Sequence, residues 1–279
     1  MRRATQQDEP ALKAFLERHL ETSMFLLGNL ETHGAESTNH DHSTGFFLRE
    51  EAGQITGVFG CTRNGYLLCQ MPGLTLAEAQ GIARKFAGYT MLGITGDAEQ
   101  IATMLVALPV PQTAWQLNRV EPLYQLDLIE LPASQADLRA PSDPDMRYLP
   151  NWFEAYMRET GTQAVDDPRA RAEKSLDAPY VRIMFEGDAP LAMTAINAKA
   201  GSAVQIGGVF VPPENRGRGL AGQIIAAHLN SLRSEGVSKA ILFAASPDAA
   251  RAYEKIGFQR IGDYRIAMLT EPFTLEFAG

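Results

Sequence analysis

The chain has 279 residues, of which 45% are hydrophobic and 21% are charged, and its net charge is −8. This length allows two compact domains. The acidic balance argues against general nucleic-acid binding, which needs a basic face. No segment reaches the roughly 18 apolar residues of a membrane-spanning helix, and the start turns acidic before any apolar run. We therefore expect a cytoplasmic protein with neither a membrane nor a nucleic-acid partner.

The first half of the chain alternates helical and strand patterns. Helical spacing of apolar residues, with a break near Glu21 in the first segment, covers 9–30, 76–87 and 98–108. Strand patterns cover 45–49, 55–62, 66–70, 90–95 and 123–131.

The only two cysteines flank Asn64-Gly65, which predicts a two-residue hairpin turn. That turn would pair Cys61 with Leu68 and Cys69 with Gly60. The two thiols would then lie on opposite faces of the sheet, where they cannot form a disulfide.

We also expect no metal site. No histidine or second cysteine stands at ligand spacing from either cysteine. The remaining cluster, His40-Asp41-His42, lies in a polar stretch that is typical of a solvated loop.

A stretch rich in Pro, Ser and Asp at 132–145 predicts a linker between domains 1–131 and 146–279, with the first strand of the second domain starting near 138. In the second half, helical patterns cover 146–160, 220–232 and 247–256. Strand patterns cover 180–185, 191–197, 204–211, 239–245 and 260–269. This order of elements repeats that of the first half, which indicates an internal duplication.

A glycine-rich turn, Arg216-Gly217-Arg218-Gly219, joins the strand that ends at Val211 to the helix that begins at Leu220. Glycines permit a tight turn, and the free N–H groups at a helix N-terminus attract an anion. The turn therefore predicts a diphosphate site. The first half has Met71-Pro72-Gly73-Leu74-Thr75 at the same place, so we expect no cofactor there.

The letters at 217–222 also fit the dinucleotide fingerprint Gly-x-Gly-x-x-Gly. That fingerprint belongs to a strand–helix–strand unit with an acidic residue about 20 positions later. The segment Phe243-Ala244-Ala245-Ser246 stands there instead, and β-hairpins precede the turn. Both features disfavour a dinucleotide.

About 30 residues after the turn comes Tyr253-Glu254-Lys255-Ile256-Gly257-Phe258. Together the two segments resemble the GCN5-related N-acetyltransferase (GNAT) superfamily, clearly so over 138–269. The resemblance implies acetyl-CoA as cofactor. It also implies an α/β (α+β) fold of two GNAT-like domains, each a mixed, mostly antiparallel sheet flanked by helices, with a degenerate N-terminal copy.

The same resemblance implies a set of cofactor-binding residues: Val209, Phe210, Val211, Arg216, Gly217, Arg218, Gly219, Leu220, Ala221, Gly222 and Ser246. It implies that the Val209 N–H stabilises the oxyanion and that Tyr253 protonates the departing thiolate. Gly207-Gly208 either forms a bulge that frees these main-chain groups or allows close packing of another chain segment. A tyrosine at 253 that merely packs beside the following turn is the structural alternative.

Two positions depart from the family pattern. Ser246 replaces a frequent asparagine, and Gln205 replaces a basic glutamate that some members use. A glutamine cannot accept a proton at neutral pH, so the general base is open.

We assign the acceptor site to Gln205 and to the helix 146–160, which carries Trp152, Tyr156 and Glu159. Glu159 is a candidate base acting through water. The alternatives are a solvated Glu159 and aromatic side chains that belong to the core. The expected function is direct acetyl transfer from acetyl-CoA to a primary amine of a small molecule or peptide, without a metal. A non-catalytic acyl-CoA-binding regulatory or scaffold protein is the alternative.

Overall fold

The computed structural model describes residues 1–131, 133–134, 136–162, 167–178 and 180–277. The chain divides into two compact units: unit 1 is Met1–Glu121 with Asp263–Gly279, and unit 2 is Pro122–Gly262. Two residues of the predicted linker, Pro132 and Gln135, lie outside the described residues. None of the described helices is long and apolar enough to cross a bilayer.

Unit 1 has four helices: α1 (Glu9–Glu17), α2 (Leu20–His33), α3 (Leu76–Lys85) and α4 (Ala98–Ala107). Its own strands are β1 (Arg2–Arg3), β2 (Thr44–Glu51), β3 (Gln54–Thr62), β4 (Tyr66–Gln70) and β5 (Thr90–Asp97). They lie side by side in chain order, and β5 pairs on its other side with the end of β12 (Gln259–Thr274). The β4–β5 pair is parallel and the other neighbours are antiparallel.

Unit 2 has four helices: α5 (Leu149–Thr160), α6 (Pro168–Leu176), α7 (Leu220–Arg233) and α8 (Pro247–Glu254). Its strands are β7 (Asp137–Arg139), β8 (Val181–Glu186), β9 (Ala189–Ala200), β10 (Ala203–Phe210), β11 (Lys239–Phe243) and the end of β6 (Trp115–Asp127). The order in its sheet is β7-β8-β9-β10-β11-β6, and only the β10–β11 pair is parallel.

The sheets of the two units therefore have the same pattern of strand directions and the same order of their first five strands, while the sixth strand comes from the end of the chain in unit 1 (β12) and from the start of the unit in unit 2 (β6). The predicted fold class, a mixed sheet flanked by helices, is confirmed. The bounds of the units differ from the predicted domain bounds because two strands are divided between the units. The residues of β6 after Glu121 belong to unit 2 and pair with β11. The residues of β12 from Asp263 onward belong to unit 1 and pair with β5. Strand pairing, and not the proline-rich stretch, defines the units.

Two helical predictions are corrected. The first helix breaks at His19, whose φ of −122° is not helical, so the break lies before Glu21. Helix α6 was not predicted, although Asp167 caps its N-terminus by accepting hydrogen bonds from the backbone N–H groups of Arg169 and Ala170. Its charged sequence hides the apolar periodicity on which helix prediction depends.

The predicted hairpin register is wrong by one residue. Cys61 pairs with Leu67, and Cys69 pairs with Phe59. The Thr62 hydroxyl accepts a hydrogen bond from the Tyr66 N–H at 2.8 Å and so closes a three-residue loop, in which Gly65 has φ 93°.

The shift by one residue places both thiols on the same face of the sheet, although they stay free. Burial raises the pKa of each thiol.

The sheet of unit 2 separates two hydrophobic clusters. Residues from β10, β11, α7 and α8 form one, among them Ile206, Leu242, Leu220 and Tyr253. The other lies against α5 and α6 and contains Trp152 and Phe210. The two ends of β10 thus support two different layers of helices.

Candidate active site

The two parallel strands of unit 2 separate where a ligand site would be expected. Their paired residues run from Ala203 and Lys239 to Ile206 and Leu242, and the pairing stops there. Helix α7 follows β10 directly. In α/β sheets, the carboxyl ends of neighbouring parallel strands that diverge form a crevice for ligands.

A β-bulge interrupts β10 just beyond this point. Gly207 pairs with Ala195 and Phe210 pairs with Met193, so Gly208 and Val209 together oppose a single residue of β9. Val209 therefore lies outside the regular pairing on both sides. This supports the expectation that its main-chain groups can bind a ligand.

Both explanations of the two glycines apply. Gly208 has φ +58°, which favours glycine, and belongs to the bulge. A Cβ on Gly207 would lie 2.5 Å from Cγ of Asn197, so the exposed side chain of Asn197 would have to move to make room for it.

The glycine-rich turn is compact and anchored. Residues Pro213–Asn215 form one turn of 3₁₀ helix, and the Asn215 side-chain amide donates to the Leu191 carbonyl at 3.2 Å. Gly217 and Gly219 then take positive φ angles of 78° and 75°. These conformations point the chain into α7 and explain why glycine occupies both positions.

Helix α7 begins without a side-chain cap. Gly219 is the N-cap residue, and the first backbone bond of the helix runs from the Gln223 N–H to the Gly219 carbonyl. The amides of Leu220, Ala221 and Gly222 precede that bond and have no acceptor within the helix. These amides can donate to an anion at the positive end of the helix dipole.

The equivalent helix of unit 1 is closed by its own side chains. Thr75 and Glu78 form a capping box at the start of α3. The Arg49 guanidinium donates to the Pro72 carbonyl at 2.6 Å and to Glu78 at 3.3 Å. The Glu78 N–H, which is equivalent to the free Gly222 N–H of unit 2, is thus bonded within unit 1.

The gap beside β4 in unit 1 is also filled. The Gln100 side-chain oxygen of α4 accepts a hydrogen bond from the Met71 N–H at 2.5 Å. It also accepts the Cys69 S–H at 3.8 Å. These contacts leave no room for a ligand that would use the same main-chain donor.

Both arginines of the turn form ion pairs with carboxylates. Arg216 donates to Glu159 of α5 at 2.7 Å and to the Val211 carbonyl at 2.9 Å, and its guanidinium lies 5.9 Å from the centre of the Phe210 ring. Arg218 donates to Glu186 at 3.2 Å. All four charged side chains are largely exposed, so a ligand can exchange with either carboxylate. The sequence did not predict these pairs, because Glu159 and Glu186 are distant from the turn along the chain.

A cavity of about 420 Å³ lies beside the start of α7, between α7 and α8. Gly222 packs against α8 there, since a Cβ on it would lie 3.1 Å from Ile256. Arg251 of α8 and Lys255, which follows α8, bring positive charge to the lining, where Arg251 is paired with Asp248. The residues of the turn and of this cavity thus fit an elongated anionic cofactor, and the two cations were not predicted as site residues.

Tyr253 and Ser246 both lie on α8. The Tyr253 side chain is 7% exposed, and its ring centre lies 6.3 Å from that of Phe258. Its core cluster includes Ile206 and Leu242, the last pair before β10 and β11 separate. Ser246 caps α8 by accepting a hydrogen bond from the Ala249 N–H at 3.2 Å.

The predicted acceptor residues lie on the other face of the sheet. Trp152 is 9% exposed and belongs to the core cluster with Phe210, and Tyr156 is partly buried against that cluster. Gln205 is buried, and its side-chain N–H donates to the Ile206 carbonyl at 2.7 Å. Its side-chain oxygen has no hydrogen-bond partner among the described residues.

A second buried polar group is the His228 side chain of α7. His228 is fully buried, and neither ring nitrogen has a hydrogen-bond partner in the described part of the chain. Burial and, to a smaller extent, the charge of Arg182 together lower the pKa of His228 to about 4. The ring is therefore neutral at physiological pH and takes a structural position.

Among the residues described, no group of three or more His, Cys, Asp or Glu side chains could hold a metal ion.

Comparison with known proteins identifies the kind of domain. Residues 154–268 match the family model for the acetyltransferase (GNAT) domain. A segment of 54 residues is 39% identical to acetyltransferase Atu2258 of Agrobacterium fabrum, a match that spans 19% of this chain and 39% of that relative.

Solved structures agree in fold. A GCN5-related N-acetyltransferase from Kribbella flavida has a TM-score of 0.54, with 14% identity over 90% of this chain and 94% of that one. One from Sphaerobacter thermophilus has a TM-score of 0.53, with 13% identity over 99% of this chain and 96% of that one. Residues 154–268 therefore resemble a GNAT acetyltransferase domain in sequence, and the chain resembles GNAT proteins in fold.

Proposed function

We propose that the protein is an acetyl-CoA-dependent N-acetyltransferase that transfers an acetyl group directly to a primary amine. The observation that carries this proposal is the uncapped start of α7, with its positive-φ glycines at 217 and 219, placed beside the divergence of β10 and β11. Free amides, two exposed arginines and an adjoining cavity lined by Arg251 and Lys255 suit an anionic ligand such as CoA.

The proposal includes a tandem GNAT-like arrangement with one working copy. The equal order of the first five strands in the two sheets supports the duplication. The side chains of Arg49, Glu78 and Gln100, which occupy the equivalent place in unit 1, support a degenerate first copy. The protein would then bind one cofactor molecule per chain.

Acetyl-CoA supplies an acetyl thioester, whose C–S bond breaks as the amine nitrogen bonds to the carbonyl carbon. The Val209 N–H, free of regular pairing, donates to the oxygen that becomes negative. The Tyr253 hydroxyl gives its proton to the departing sulfur. The amine loses its own proton to water, because Gln205 carries no carboxylate. No residue forms a covalent intermediate in this scheme.

The test measures CoA binding and thiol release separately. We expect the protein to bind CoA and to release free thiol from acetyl-CoA with members of a panel of primary amines. Tyr253→Phe should slow thiol release by about 10²-fold or more while CoA affinity is kept. CoA binding without turnover for any amine would favour a non-catalytic acyl-CoA-binding protein. Normal CoA binding by Arg218→Glu would contradict the cofactor site itself.

A further inference from the structure

Glu159 lies between the glycine-rich turn and the face of the sheet that carries the predicted acceptor residues. Its carboxylate accepts a hydrogen bond from Arg216 at 2.7 Å. Arg216 in turn bonds the Val211 carbonyl and lies over Phe210, which packs in the same cluster as Trp152. One arginine therefore contacts the end of β10, the aromatic cluster and a carboxylate of α5.

We propose that Glu159 selects a cationic acceptor and that it becomes available for this only when Arg216 exchanges its carboxylate for a cofactor phosphate. The inference rests on the proposed function and adds a substrate class to it, an alkylammonium ion.

The charges explain the coupling. With Arg216 paired to Glu159, the carboxylate is neutralised and the guanidinium repels an approaching ammonium ion. When Arg216 donates to phosphate instead, its charge is neutralised there, and Glu159 regains a free carboxylate. Both members of the pair are largely exposed, 47% for Arg216 and 43% for Glu159, so neither side chain must leave a buried place.

The aromatic surface near Glu159 already binds a cation. Tyr156 precedes Glu159 by one turn of α5 and has the Arg171 guanidinium 5.6 Å from its ring centre, so an added ammonium group would bind the Glu159 carboxylate or displace Arg171 from the ring. Aromatic faces next to a carboxylate attract ammonium groups. Because coupling between two ligands is reciprocal, a cationic acceptor would also tighten the binding of the cofactor.

The first experiment is calorimetric titration with CoA. Glu159→Gln removes the competitor for Arg216, so we expect about two- to fivefold tighter CoA binding, the size of an exposed ion pair. The matched control is Glu173→Gln, because Glu173 forms an exposed ion pair with Arg169 on α6 at 3.1 Å. This control should leave the affinity unchanged.

A double-variant cycle separates partner exchange from general charge effects. In the Arg216→Gln background, Glu159→Gln should no longer change the affinity for CoA. Unchanged or weaker binding by Glu159→Gln alone, or an equal gain in both backgrounds, overturns the exchange. Absence of CoA binding by the unmodified protein would instead contradict the proposed function.

The second experiment uses 1,5-diaminopentane as the cationic probe. Saturating CoA should raise the affinity of the unmodified protein for this diamine several-fold, and Glu159→Gln should abolish that gain. A gain of equal size in both proteins, or no gain in either, overturns the role of Glu159 in the selection of the acceptor.

Discussion

The side chain of Asn197 lies against the backbone of Gly207, where a Cβ would lie 2.5 Å from its Cγ. Gly207 is the last residue paired with β9 before the bulge that releases Val209 from the sheet. The neighbouring Gly208 has a different constraint, a φ of +58°.

This difference predicts two separable effects. Gly207→Ala should cost less stability than Gly208→Ala, because the exposed Asn197 side chain can turn away from the new methyl group, and Asn197→Ala should remove that small cost. Gly208→Ala should cost about 1–2 kcal/mol of unfolding free energy through its backbone conformation, and Asn197→Ala should not rescue it. Urea unfolding of the single and double variants decides this, and equal rescue at both positions would contradict it.

His228 should make the stability of unit 2 depend on pH. Its pKa in the folded protein is about 4, below the usual 6.5, so the unfolded chain binds a proton more readily. The stabilisation from a neutral ring is complete above about pH 7 and is lost as the pH falls toward 4, by at most about 3 kcal/mol.

His228→Leu should remove that loss. The readout is the difference in unfolding free energy between variant and unmodified protein at pH 7.5, 5.5 and 4.5, which cancels the other histidines. A difference that stays constant with pH would show that His228 does not titrate as described.

The closed turn of unit 1 predicts a binding stoichiometry. Titration should give one CoA per chain. Arg49→Met should cost about 1–3 kcal/mol of stability, because Glu78 and the Pro72 carbonyl lose a charged donor, yet it should leave the CoA affinity unchanged. A second binding event in either protein would show that unit 1 also holds a cofactor.

The division of β6 and β12 between the two units predicts which fragments fold. A fragment of residues 122–262 contains all six strands of the unit 2 sheet, and we expect it to unfold cooperatively and to bind CoA. A fragment of residues 146–279, cut at the bounds that the linker suggests, lacks β6 and β7 and should aggregate. Equal behaviour of the two fragments in size-exclusion chromatography and CoA titration would contradict this.

The sequence predicted the elements near the glycine-rich turn well because local signals define them. Gly217 and Gly219 need positive φ, and the end of β10 is marked by Pro212 and Pro213. The hairpin register failed because the Thr62 hydroxyl, and not the Asn-Gly pair, closes the loop.

Long-range pairing was beyond the same signals. The partners of β6 and β12 depend on which sheet edge is unpaired when the chain folds, and the sequence of neither strand indicates which edge that is. The ion pair between Arg216 and Glu159 spans 57 positions and also requires the fold. Roles carried over from the GNAT resemblance, such as that of Tyr253, stay predictions until they are tested by variants.

The position of β12 has a consequence for synthesis of the chain. Unit 1 begins at Met1, yet its sheet takes its last strand from residues after Gly262. While the ribosome holds that segment, β5 presents an unpaired edge, which is a site of aggregation. Unit 1 thus precedes unit 2 in synthesis, but its sheet is completed only when residues 264–274 have left the ribosome.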